Sequence, residues 1–187
     1  MKITWLGFML LLMPYQAWST SEHPSLSHSI VGQQLVMHGQ IEVALPEEVR
    51  QAIEHEIPIR FKTHIQLNQR NQFLFFRTRS QVLDITYSTE LSYSHFYKRY
   101  TLHNLRNQNR LHFLSLEDAL HTLGRFEDFS LVDVNHLHAG LHYTLQVKID
   151  LDWLKLPAPL ISHALFNQSW FYSTGWLEQK ILFGTGR

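Results

Sequence analysis

The clearest pattern in the chain is a strict alternation in its last third. Leu141, Tyr143, Leu145, Val147, Ile149 and Leu151 alternate with His142, Thr144, Gln146, Lys148 and Asp150. A period of two is what a strand with one buried and one wet face requires. Ile59, Phe61, Ile65 and Leu67 repeat it against Arg60, Lys62, His64 and Gln66, and Leu35, Met37, Ile41, Val43 and Leu45 repeat it against His38, Gln40 and Glu42. Residues 72–103 hold eight of the 24 aromatic side chains and predict two or three more strands, with a change of parity between Tyr93 and Phe96 that predicts a bulge. A last aromatic strand is expected from about Ser169 to Leu182, after the stop signal Leu156-Pro157-Ala158-Pro159.

Two stretches break the period of two. Pro46 opens the first, where its missing N–H costs nothing, and Glu47 and Glu48 suit the positive end of a helix. Val49, Ala52, Ile53 and Ile57 then form an apolar stripe. Ser115 with Asp118 approximates a capping box ahead of Leu116, Ala119, Leu120 and Leu123, and Gly124 ends the second stretch. The predicted fold is mainly β: an antiparallel β-sandwich or curved sheet with two short helices near 46–56 and 115–124. A closed β-barrel is the alternative.

The ends of the chain follow other rules. Lys2, the apolar run Ile3 to Met13, and Ala17 and Ser19 make a cleavable export signal over residues 1–19, with cleavage before Thr20. The apolar run has eleven residues, whereas a membrane span takes roughly 17 to 25. Residues 20–33 are rich in Ser and His without an apolar period and read as a flexible linker; 34–183 form one β-rich domain, and 184–187 a tail. The expected address is the periplasm or beyond, with tethering to the membrane if the signal stays uncleaved and no further span after cleavage.

Cysteine is absent. In a compartment that permits disulfides the fold then stands on its core alone, and catalytic thiols, thiolate metal sites and a lipidated Cys are excluded. The net charge of zero hides an asymmetry: residues 60–110 hold nine basic and two acidic side chains, residues 20–59 one basic and six acidic. Such a distribution bears on partners.

Particular residues also carry a resemblance. Ile57-Pro58-Ile59-Arg60-Phe61, Leu91-Ser92-Tyr93, Lys98-Arg99-Tyr100, Phe113 with Leu116-Glu117-Asp118-Ala119-Leu120, Leu151-Asp152, Leu156-Pro157-Ala158-Pro159, and Trp170-Phe171-Tyr172-Ser173 with Trp176 resemble, in order, the motifs of the uncharacterised bacterial family catalogued as domain of unknown function 4390. The resemblance covers roughly residues 41–180. It implies a small exported protein of Gram-negative bacteria with a signal peptide and one domain, and no activity. Where the family usually shows Arg-Trp-x-Trp, this chain has Asn71-Gln72-Phe73-Leu74-Phe75, so Phe replaces any Trp-lined surface there.

Candidate chemistry is sparse. His136, His138 and His142 are the tightest cluster among thirteen histidines, but no carboxylate or Cys at ligand spacing completes a metal set. No cofactor is expected. The Gly-x-Ser-x-Gly elbow is missing, so no catalytic residue is assigned. Asp150 and Asp152 resemble a paired-carboxylate site only loosely, and Asp152 suits a turn toward the prolines. Arg77, Arg79, Lys98 and Arg99, set among Phe and Tyr, could hold an anionic partner, and Trp170 and Trp176, with Tyr172, share one parity on the last expected strand. The expected function is a periplasmic, non-enzymatic binding or envelope-associated accessory module. Its partner would be an envelope protein or an anionic envelope component, not nucleic acid. The alternative is a periplasmic hydrolase of unknown substrate.

Overall fold

The computed structural model describes residues 25–73 and 76–184. The expected signal, residues 20–24 and the last three residues lie outside them. In chain order the elements are β1 (Ser25–Val31), β2 (Gln34–Gln40), α1 (Glu47–Glu54), β3 (Ile59–Phe73), β4 (Phe76–Ser94), β5 (Arg99–Asn104), β6 (Arg110–Phe113), α2 (Leu116–Leu123), β7 (Arg125–Asp133), β8 (His142–Leu151), α3 (Ala158–Ala164) and β9 (Leu177–Leu182). They form two antiparallel sheets, β1-β2-β7 and β6-β5-β4-β3-β8-β9. The larger curls into a half-barrel that does not close, so the fold is mainly β and the closed-barrel alternative falls.

One core joins the sheets. Ile59, Phe61, Ile65 and Leu67 of β3 have no exposed surface, and neither do Leu145, Val147 and Ile149 of β8. These are the alternating positions, turned inward. Helix α1 adds Val49 and Ile53, α2 adds Ala119 and Leu120, and the small sheet adds Leu35, Met37 and Phe126. Helix α2 starts where the capping pattern predicts, with Ser115 Oγ accepting from the Asp118 N–H at 3.1 Å. It ends at Gly124, where a Cβ would stand 2.0 Å from the Ile41 carbonyl oxygen. Ile41 N–H donates to the Gly124 carbonyl at 2.9 Å, so the chain beyond β2 is pinned to the end of α2.

Several expectations need correction. Part of the predicted linker, Ser25–Val31, is strand β1, joined to β2 through Gly32, whose φ of 63° suits glycine. It is an edge strand whose buried apolar side chain is Leu26, so it shows no apolar period. Strand β2 ends at Gln40, although Ile41, Val43 and Leu45 stay buried in extended chain. The parity change near Tyr93 is a reversal of the chain at 95–98, with Lys98 at φ 48°, and not a bulge.

Strand β7 was not foreseen, because Asp128 at φ 47° and a register shift opposite Met37–Gly39 interrupt its alternation. After Pro157 a third helix, α3, follows the stop signal. The last strand covers only Leu177–Leu182. Residues Gln168–Phe171 are instead a 3-10 turn, with Asn167 Oδ1 accepting from Ser169 N–H, and Gly175 at φ 73° bends the chain into β9.

Candidate functional site

Strand β3 lies between β4 and β8, and register sets Lys62 opposite Asp150 and His64 opposite both Lys148 and Thr86. Residues paired across antiparallel strands share a face. The polar positions of three strands therefore meet on the outer face of the half-barrel, and they pair there. Arg60 lies 3.0 Å from Glu90, and Lys62 Nζ lies 3.0 Å from Oδ2 of Asp152, a carboxylate that is itself buried. Asp152 opens the turn Trp153–Lys155 as expected, but its side chain makes no capping bond and holds Lys62 instead.

Asp150 gathers three partners. Ser173 Oγ donates to Oδ1 at 2.6 Å, while Lys148 Nζ and His64 Nε2 approach Oδ2 at 2.5 and 3.3 Å. Ser173 is delivered by a single bridge to Asp150, flanked by Leu151 N–H donating to the Tyr172 carbonyl. Burial holds the His64 imidazole below its ordinary pKa; the Lys148 ammonium adds to this and Asp150 opposes it. A neutral imidazole here donates from Nε2 to Asp150 and accepts at Nδ1 from the Thr86 hydroxyl, 3.2 Å away.

Aromatic side chains rim this face. The Lys148 ammonium lies 5.1 Å from the ring centre of Trp176, and the His64 ring meets Trp176 edge-on at 6.5 Å. Beyond Asp152, the Trp153 and Phe171 rings lie 5.2 Å apart. Trp153, Phe171 and Tyr172 line an open groove of about 370 Å³ whose floor includes Lys62, His64, Lys148 and Asp150, and Trp176 adjoins it through His64 and Lys148.

Among the described residues two arrangements bring Ser, His and Asp together, and neither is a nucleophilic relay. A relay places the nucleophile on one imidazole nitrogen and the acid on the other. At the groove, Asp150 stands between Ser173 and His64. On the small sheet, Ser29 Oγ and Asp128 Oδ1 both face Nε2 of His38, at 2.9 and 3.8 Å, while Nδ1 receives the Asp128 backbone N–H at 3.5 Å.

The residues proposed from sequence disperse. Arg77 and Arg79 lie near the start of β4, in register with Gln72 and Arg70; their side chains lie outside what is described. Lys98 and Arg99 lie past the other end of β4, which at ~3.3 Å per residue is roughly 50 Å of strand away from Arg79. The four do not make one patch, and Arg60 and Lys62 are already paired. Trp170 is buried at 5% exposure whereas Trp176 is 42% exposed, so the shared parity of these aromatics does not survive the turn between them. His136, His138 and His142 are exposed, and they form no metal-ligating group among the described residues.

A second surface lies at the β4–β5 reversal. Phe96 is 85% exposed and Tyr97 is largely exposed, their rings 4.8 Å apart, with the Arg99 guanidinium 4.7 Å from the Tyr97 ring centre. Register pairs Tyr100 with Phe113, which brings the next residue, Leu114 at 88% exposure, beside Arg99. Acidic side chains neighbour this corner: Glu56 meets His95 at 3.4 Å, and Glu117 holds Arg50 at 2.6 Å across the two helices.

The fold and its outer face define an antiparallel two-sheet β domain with a polar, aromatic-rimmed groove. The family model described as domain of unknown function (DUF4390) matches residues 22–180, and the chain belongs to that family. The match begins before β1, earlier than the motifs alone indicated. No curated protein and no solved structure matches significantly.

Proposed function

We propose that this protein is an exported, non-enzymatic binding module of the bacterial envelope, docking through the β4–β5 corner onto an envelope protein. The observation that carries the reading is the exposed Phe96–Tyr97 pair beside Lys98 and Arg99, with exposed Leu114 following the Phe113 that register sets opposite Tyr100. Exposed apolar clusters of this kind mark interaction sites. Glu56 and Glu117 on the neighbouring elements weaken the field that a purely anionic surface would feel, which favours a protein pocket with an acidic rim. Export rests on residues 1–19. Among the described residues no helix is long and apolar enough to cross a membrane. The hydrolase reading loses ground because neither Ser–His–Asp grouping has relay connectivity.

The test is photo-crosslinking in intact cells from Tyr97, with mass spectrometry of the adduct and of the protein's own N-terminus. A discrete protein adduct, lost in Phe96→Asp and salt-sensitive in Lys98→Glu/Arg99→Glu, is expected, together with an N-terminus at Thr20. An adduct pattern no different from that of a probe at Ser27 overturns the docking surface, and an intact N-terminus overturns the cleavage.

A further inference from the structure

The groove on the outer face is distinct from the docking corner, and its chemistry narrows what it could hold. Two ammonium groups, Lys62 and Lys148, face two carboxylates, Asp152 and Asp150, each already within ion-pair distance of the other kind. An anion or a cation entering the groove finds its opposite charge spoken for, so neither gains a net field. Metal ligation is equally unsupported: among the described residues no three His or carboxylate side chains converge. A wholly apolar ligand would strand the charged floor without water.

What this floor offers is a mixture of donors and acceptors in fixed positions. Asp150 is held from three directions, by Ser173, Lys148 and His64, and Asp152 is buried against Lys62. Groups so held meet a ligand's hydroxyls without first being ordered. The rim and its border offer apolar ring surface: Phe171 and the adjoining Trp176 are both substantially exposed, and Trp153 packs against Phe171 at a tilt of 59°. A volume of about 370 Å³ sits at the small end of ligand pockets, which run from ~300 to ~1,000 Å³.

One ligand class matches every part of that description. It is uncharged, rich in neighbouring hydroxyls that both donate and accept, and carries flat C–H faces that stack on aromatic rings. We infer that the groove beside the Trp153–Phe171 pair, which Trp176 adjoins through Lys148 and His64, is a binding site for a short stretch of uncharged glycan, with Asp150, Ser173 and Lys62 contacting sugar hydroxyls. Paired charges serve such a ligand better than free ones, since each carboxylate accepts from one hydroxyl while the adjacent ammonium donates to the next.

The test uses ¹⁵N-labelled protein purified after export and titrated separately with chitotetraose, cellotetraose and maltotetraose at millimolar concentration. At least one sugar should shift the Trp176 indole N–H and the Ser173 amide saturably. The chitotetraose and cellotetraose arms distinguish an N-acetylated from a plain backbone. Trp176→Ala should weaken that binding about tenfold, equivalent to roughly 1.4 kcal/mol. Phe171→Ala and Asp150→Asn should weaken it as well, and these two answer the question if Trp176→Ala fails to fold. Absence of shifts with all three sugars overturns the inference, as do shifts that survive in the folded variants. Stronger shifts at the same peaks from inorganic phosphate overturn it too, by making the groove an anion site. Phe96→Asp should leave sugar binding unchanged, so failure here and failure of the docking corner are separable.

Discussion

The two faces of strand β3 are made from consecutive residues and follow opposite rules. Inward, Ile59, Phe61, Ile65 and Leu67 are wholly buried, and what they contribute scales with the volume they fill. Outward, Arg60, Lys62 and His64 are each bound to a specific partner on a neighbouring segment, and what they contribute depends on who the partner is. An outer face built only for solubility would show unpaired, mobile charges worth little to stability. This one buries Asp152 and surrounds Asp150. The difference teaches that the outer face is constructed, at a cost in desolvation that the fold itself does not require.

Breaking the inner face should have the largest effect. Phe61→Ala is expected to destabilise the protein by about 3–5 kcal/mol, since the ring lies in a packed core that cannot fully collapse around the cavity. Urea unfolding measures it, and a cost below that of an ordinary surface substitution would remove the inward assignment of β3. The next residue probes the other face. Lys62→Ala leaves the Asp152 carboxylate buried without its cation, which should cost about 1–3 kcal/mol, moderated by the solvent that reaches Lys62. Adding Asp152→Asn should recover part of that loss. If Lys62→Ala costs no more than Lys180→Ala on the exposed edge strand β9, the outer face is ordinary solvated surface and the contrast disappears.

How much of this was readable beforehand divides along the same line. The inner face was legible because burial imposes a period: β8 and the stripe of α2 sit within a residue or two of the pattern that predicts them, and β3 begins where its pattern does but runs on past Leu67 to Phe73. Where burial is thin the pattern fades. Strand β1 is an edge strand in which Ser residues intervene, and β7 is interrupted at Asp128. The outer face was illegible for a different reason. Lys62 and Asp152 are far apart in the chain and meet only because β3 pairs with β8 in one register, and a slip of one residue would put the side chains of one strand on the other face. Ser173 and Trp176 reach the groove because the chain leaves strand geometry at Asn167 and bends at Gly175, which no alternation announces. The Trp170/Trp176 stripe fails at that same turn.

The smallest expected effect is also the most specific, because it asks whether the paired network extends to its central imidazole. Burial and the Lys148 ammonium place the folded His64 pKa below the ordinary 6.5, against the pull of Asp150 and Asp84. In the window between those two values the unfolded chain binds the proton more readily than the folded one, so stability increases with pH there. The contribution is fully present above the unfolded value and lost as pH falls through the folded one. His28 is also held low by burial and gives a slope of the same sign. The informative quantity is therefore the difference between wild type and His64→Gln, measured by urea unfolding at a series of pH values from neutral to mildly acidic. The variant should show a shallower acid loss than the wild type. Protonation would turn the His64–Asp150 contact into a full ion pair and engage the carboxylate that is to accept from a sugar hydroxyl, so sugar binding should weaken over the same interval. Identical slopes would mean that His64 is solvated like any surface histidine, and the outer face would then be a set of separate ion pairs with no shared centre at Asp150.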